Sequence, residues 1–171
     1  MADSIIDSAY EDNASLLLYL SERNELSLLR TVDDAFRKNL VLSAASLFEH
    51  QISDAIHSYC ARKSGSDACV LALVRIKALK RQYFSYFDWD NKRPGPFFSL
   101  LGEDIGEKLK AESKIDPLKS SIDAFMEIGF LRNCLVHQNF AGYVFEKTNE
   151  EVYALYRQAS VFVARVLEVL S

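Results

Sequence analysis

TNEEVYALYRQASVFVARVLEVL, residues 148–170, decides the fold class. Thr148 is followed three residues on by Glu151, the pattern of a capping box, in which hydroxyl and carboxylate each satisfy a backbone N–H left open at a helix start. Beyond it, Val152, Leu155, Tyr156, Ala159, Phe162, Val163, Val166, Leu167 and Leu170 recur at three and four residues. That spacing places them on one face of a helix over about 150–170, and a face this apolar has to be covered by other helices.

Working back from this helix, Gly142 marks a break, and Asp116-Pro117 supplies an N-cap and a proline at the first helical position. The helix it opens carries Leu118, Ile122, Phe125 and Gly129 on one side and runs into LRNCLVHQNF. DWDNKRPGPFF, residues 88–98, is a loop, because Pro94-Gly95-Pro96 forbids continuous helix; a short amphipathic helix follows near 97–113. Further back, a helix over about 68–87 is capped by Ser66 or Asp67, and a long one runs from about Val32 to Ala61. Leu42, Ala45, Phe48, Ile52, Ile56 and Tyr59 form the buried face of that long helix, and a first helical stretch spans about 4–30.

The composition agrees. Six Gly and three Pro in 171 residues, with two Thr against 22 Leu and 17 Ala, leave too few turn residues and β-formers for a sheet protein. The expectation is an all-α, up-and-down bundle of about five helices, one domain over 1–171 with 1–30 as an N-terminal helical extension. A chain of this length buries roughly 70% of its unfolded surface. Twenty Lys and Arg against 24 Asp and Glu give a net charge of −4, which excludes a broadly basic nucleic-acid coat and confines any RNA contact to a local patch. Cys60, Cys69 and Cys134 are odd in number and lack a C-x-x-C pair, so neither a disulfide framework nor a zinc set is expected, which fits a reducing cytoplasm. The opening MADSIIDSAYEDN is acidic and reads as no signal peptide, and no apolar run is long enough to span a membrane.

Within Leu131-Arg132-Asn133-Cys134-Leu135-Val136-His137, polar groups interrupt an apolar helix end, and such groups need partners. Asn133 and His137 lie one turn apart on one face, so Asn133 can orient the imidazole or fix its tautomer. Arg132 and His137, five apart, diverge by about 140° on a continuous helix. Either the helix bends before His137, or two copies bring their segments together across a two-fold axis. Glu49, between Phe48 and Ile52 on the apolar stripe, is a carboxylate facing the core; it either pairs with Arg132 or reaches solvent at the stripe's edge.

These residues resemble a known family. Arg132, Asn133, Cys134-Leu135-Val136 and His137 are similar to the R-x4-H motif of HEPN domains, and Ser43-Ala44-Ala45-Ser46-Leu47-Phe48-Glu49 resembles the early HEPN helix that often carries an acidic residue. The resemblance covers about 32–170. It implies an all-helical homodimer and a metal-independent endoribonuclease needing no cofactor, in a toxin–antitoxin or anti-phage setting. Arg132, His137 and Asn133 would be catalytic and Glu49 supporting, with RNA as substrate and an antitoxin or other defence protein as partner. The chemistry suits the residues: an imidazole can take a proton from a ribose 2′-hydroxyl or give one to the leaving 5′-oxygen, while a guanidinium stabilises the phosphate. The rival is a non-catalytic HEPN-like dimeric module that binds a nucleotide or a protein partner.

Other candidates are secondary. RIKALKRQYFSYFDW, residues 75–89, interleaves cations with aromatics, and Lys77, Lys80, Arg81, Lys92 and Arg93 are candidate RNA contacts if the rings stack on bases rather than fill the core. His50, Asp54 and His57 share one helix face with ligand-type side chains, yet no fourth ligand is evident and no metal site is expected. Gly-rich phosphate loops, G-x-S-x-G and H-E-x-x-H are absent, which leaves NTPase, α/β-hydrolase and zincin readings without support.

Overall fold

The computed structural model describes residues 4–171, so the first three residues of the expected 1–171 domain and of the acidic N-terminal stretch lie outside the described residues. Seven α-helices follow in order: α1 Ile5–Glu22, α2 Leu26–Lys63, α3 Ala68–Leu73, α4 Gly95–Leu100, α5 Gly102–Glu112, α6 Leu118–His137 and α7 Asn149–Val169. Among the described residues there is no strand, and the one β-like feature is an isolated bridge between Asp88 and Arg93. The fold is all-α. No described helix is long and apolar enough to cross a membrane.

The helix count exceeds the expected five or so because the stretch expected over 97–113 divides in two, and the boundaries near the N-terminus move. Asn24 adopts φ +59° and ends the first helix, so the expected 4–30 and 32–61 become α1 and a 38-residue α2. Gly102 at φ +78° separates α4 from α5 within the expected 97–113. The expected helix 68–87 starts as predicted, with the Asp67 carboxylate accepting the Val70 N–H at 2.9 Å, but α3 stops at Leu73. Residues 74–79 widen into a π-turn, and a 3₁₀ turn occupies Tyr83–Ser85. Burial of Tyr83, Tyr86, Phe87 and Trp89 draws the chain off the helix axis, and the Tyr86 hydroxyl donates to the carbonyl of Ala78 across the irregular stretch. At the start of α6, Pro117 is itself the cap and Leu118 opens the helix; Asp116 accepts from the Ser120 N–H at 3.0 Å.

The core lies where α6 packs between α2, α7 and the aromatic segment 83–98. Phe125 of α6 is its hub, with ring centroids 5.7 Å from Phe48, 5.1 Å from Phe87 and 5.0 Å from Phe162. The predicted face of α7 is the buried one: Val152, Tyr156, Ala159, Phe162, Val163, Val166 and Leu170, with Leu155 and Leu167 half-buried. Its capping box forms in both halves. Trp89 is nearly inaccessible because Gly129 lets it lie directly on α6; a methyl group at Gly129 would fall on the six-membered ring of the indole.

Two polar clusters fix the outer elements. Asp7, with only 5% of its side chain exposed, joins α1 to α7 by accepting from the Tyr153 hydroxyl at 2.7 Å and from Arg157 at 3.1 Å, while the Ser4 N–H donates at 2.7 Å. Burial would raise the Asp7 carboxyl, but these donors and the Ser4 hydroxyl outweigh it and hold the pKa at about 2. On the other side, the buried ammonium of Lys38 pairs with Asp34 at 2.9 Å and donates to the carbonyl of Phe140 at 3.2 Å. Arg37 donates to the carbonyls of Phe145 and Lys147, each at 3.3 Å. The link between α6 and α7 is therefore held by side chains of α2.

Two outcomes are expected. Gly129→Ala gains about 1 kcal/mol of helix propensity yet should destabilise the fold by about 1–3 kcal/mol net through the clash with Trp89, read as a lowered urea midpoint. Because the folded pKa of Asp7 lies below its unfolded value, its contribution is complete above pH ~5 and is lost as pH falls towards 2. Urea titrations over that range should show a loss on the order of 2 kcal/mol from this group. Asp7→Asn should flatten that part of the profile.

Candidate active site

The site is built on the last two turns of α6. Leu131 and Leu135 anchor that end in the core, which turns Arg132 and Asn133 to half-buried positions and His137, the final helical residue, to solvent. Gln138 is extended, and its N–H closes the helix on the carbonyl of Cys134 at 3.0 Å. Helical backbone is continuous to His137, so no bend brings the imidazole round to Arg132. The two side chains leave the axis about 140° apart, separated by about 7.5 Å of rise, and within one chain they do not converge.

Arg132 rests on a ring rather than on a carboxylate. Its guanidinium carbon lies 3.6 Å from the centroid of Phe84, and Nη1 donates to Asn133 Oδ1 at 3.3 Å. Phe84 is held in turn by Trp89, whose indole N–H donates to the Phe84 carbonyl at 2.9 Å. Burial lowers the Arg132 pKa, with Glu49 and Tyr83 opposing it, and a guanidinium stays charged under such a shift. The buried Tyr83 hydroxyl is pushed well up, first by burial and then by Glu49, with Arg132 acting against them. Glu49, Tyr83 and Arg132 thus form one electrostatic neighbourhood at the crossing of α2, the 3₁₀ turn and α6.

Two contacts that the sequence left open are not made. Glu49 is half-buried on α2 but forms no ion pair with Arg132, whose guanidinium sits over the Phe84 ring instead. Asn133 shares a face with His137, yet its carbonyl oxygen is taken by Arg132, and no hydrogen bond joins it to the imidazole. The effect leaves the Arg132 fork with one weak hydrogen bond and no ion pair among the described residues, and His137 with no side-chain partner.

The basic candidates do not gather in one place. Lys77 on the π-turn, Lys80 after it, and Arg81 at φ +63° are all exposed on the α3 side. Lys92 pairs with Glu127 of α6 and lies 4.8 Å over the Phe130 ring, so it is committed to the fold. Arg93 exchanges backbone hydrogen bonds with Asp88. His50 Nε2 lies 3.3 Å from Asp54 in solvent, with His57 half-buried further along α2; no metal-holding group of three or more ligand-type side chains forms among the described residues. Phe84 was the residue that sequence reasoning missed. It belongs to the aromatic run whose rings the sequence leaves between base stacking and the core, and the 3₁₀ turn sets this one ring under Arg132 of α6.

Comparison with known families supplies the context. The family model described as RiboL-PSP-HEPN matches residues 8–171, nearly the whole chain. The chain belongs to this HEPN family. The match begins well before the 32–170 over which the motif-based resemblance was drawn, and takes in most of α1. Comparisons with curated proteins and with solved structures give no match. The Arg132–His137 segment therefore lies on α6 of a HEPN-family domain.

The stacking of Arg132 on Phe84 can be measured by a double-mutant cycle. Phe84→Leu should cost about 0.5–1 kcal/mol beyond its change in buried area, and Arg132→Ala should cost less in that background than in the wild type.

Proposed function

We propose that this HEPN domain is a metal-independent endoribonuclease acting as a homodimer. The observation that carries the reading is the state of Arg132: a half-buried, permanently charged fork with no carboxylate ion pair, on the same helix end as an exposed His137. A half-buried cation without direct neutralisation is suited to receive an anion, and a phosphodiester is the anion for which an imidazole brought beside it is useful.

In the proposed reaction an imidazole accepts the proton of the ribose 2′-hydroxyl, and the 2′-oxygen attacks phosphorus. The bond to the 5′-oxygen breaks, and that oxygen leaves with a proton from an imidazolium. The products are a 2′,3′-cyclic phosphate and a 5′-hydroxyl. Arg132 stabilises the charge on the phosphoryl oxygens, and Asn133 fixes the guanidinium through the hydrogen bond described above. Because one continuous helix diverges the two groups, two chains related by a two-fold axis supply the convergent pair, with one His137 as base and its symmetry mate as acid. A toxin–antitoxin or anti-phage role in the cytoplasm, with a neutralising protein partner, is the setting that fits such an activity.

Cleavage of labelled RNA in EDTA tests the reading. His137→Ala should lose roughly 10²–10⁴-fold in rate with fold and dimer intact, Arg132→Ala a comparable amount, and Asn133→Ala less. The ends should be cyclic phosphates, and light scattering should give a dimer at micromolar concentration. Wild-type activity in His137→Ala, or strict dependence on a divalent metal, would refute the mechanism. RNA or nucleotide binding without any cleavage would point to the non-catalytic module instead.

A further inference from the structure

Between α2 and the 68–80 segment runs an open groove of about 970 Å³, walled by Asp54 and His57 on one side and by Arg75, Ile76, Leu79 and Lys80 on the other. RIKALKR, residues 75–81, places four of the chain's 20 Lys and Arg in seven residues without one carboxylate, in a chain of net charge −4. None of Arg75, Lys77, Lys80 and Arg81 forms an ion pair among the described residues, and all four are exposed. The π-turn over 74–79 carries Arg75 and Lys77 and leads directly into Lys80 and Arg81, with the Lys80 N–H donating to the Arg75 carbonyl at 2.9 Å, and π-turns are frequent at functional sites.

The groove also has a direction. Ser53, at its α2 wall, lies one turn beyond Glu49, and Tyr83 follows Lys80 by three residues. Through these residues the groove's two walls are continuous along the chain with the corner where Glu49, Tyr83 and Arg132 act on one another. We propose that this groove seats the single-stranded RNA flanking the phosphate held by Arg132, a proposal that rests on the ribonuclease reading and adds its substrate track. Arg75 and Lys80 take backbone phosphates, and the apolar strip of Ile76 and Leu79 with the His57 ring takes the unstacked bases. Asp54 is the one carboxylate on the walls, and it faces His50 at 3.3 Å.

The test uses the full chain carrying His137→Ala, so that RNA stays intact, and fluorescence anisotropy with a fluorescein-labelled oligouridylate of about twelve nucleotides. Arg75→Glu with Lys80→Glu should raise the Kd roughly tenfold or more, and the neutral pair Arg75→Gln with Lys80→Gln should lower the slope of log K against log salt by about 1.4. Lys119→Glu, on the exposed start of α6, should change Kd by less than about twofold, and circular dichroism should show each variant folded. With His137 restored, the Glu pair should raise KM for RNA cleavage. Unchanged Kd in the folded Glu pair overturns the groove, as does an equal loss in Lys119→Glu. If the wild type cleaves RNA and the groove variants bind normally, only the groove assignment falls. If no RNA is bound or cleaved by any form, the ribonuclease reading falls with it.

Discussion

The seating of Trp89 on Gly129 is the contact from which the candidate site is built. Without a side chain at 129, α6 offers a flat patch on which the indole lies, and the indole N–H holds the carbonyl of Phe84. Phe84 then presents its ring to Arg132, three residues along α6 from the glycine where the chain of contacts began. One missing methyl group thus determines where a guanidinium rests. The same aromatic layer closes the core through Phe87, Phe97 and Phe125, so the geometry of Arg132 and the stability of the bundle are not separable properties.

Around that contact, α6 divides the labour of the molecule. One side is committed to α2, α7 and the aromatic layer; its last two turns carry the polar groups and release His137 to solvent. A helix that is straight to its final residue keeps Arg132 and His137 apart, which makes association between chains a geometric requirement of the proposed chemistry rather than an ornament to it.

Much of this was legible in the sequence, for reasons that differ by element. α7 could be read because a capping box and a three-four apolar period agree with each other, and local signals that agree survive tertiary packing. Segment 68–87 could not, because its residues have ordinary helical propensity and only the burial of Tyr83, Tyr86 and Trp89 breaks the helix. Arg132 and His137 stood out as polar interruptions, but the platform beneath Arg132 depends on a turn type that no spacing reveals. Asp7 was equally hidden. Its partners Tyr153 and Arg157 are 146 and 150 residues away, and an aspartate in an acidic N-terminal stretch reads as solvated.

That same separation bears on biosynthesis. The carboxylate that fastens α1 to α7 has only its local capping partner Ser4 until residues 153–157 exist, and the α6–α7 link needs α2 to hold its carbonyls. Contacts spanning this much of the chain close late, since their loop entropy must be met before they reward it. On a ribosome making about 5–20 residues per second, the earlier helices would wait, unclasped, for α7 to emerge. A nascent chain of this kind has Arg132 and His137 already synthesised but no completed bundle to hold α6, so any catalytic power it possesses begins with the finished fold.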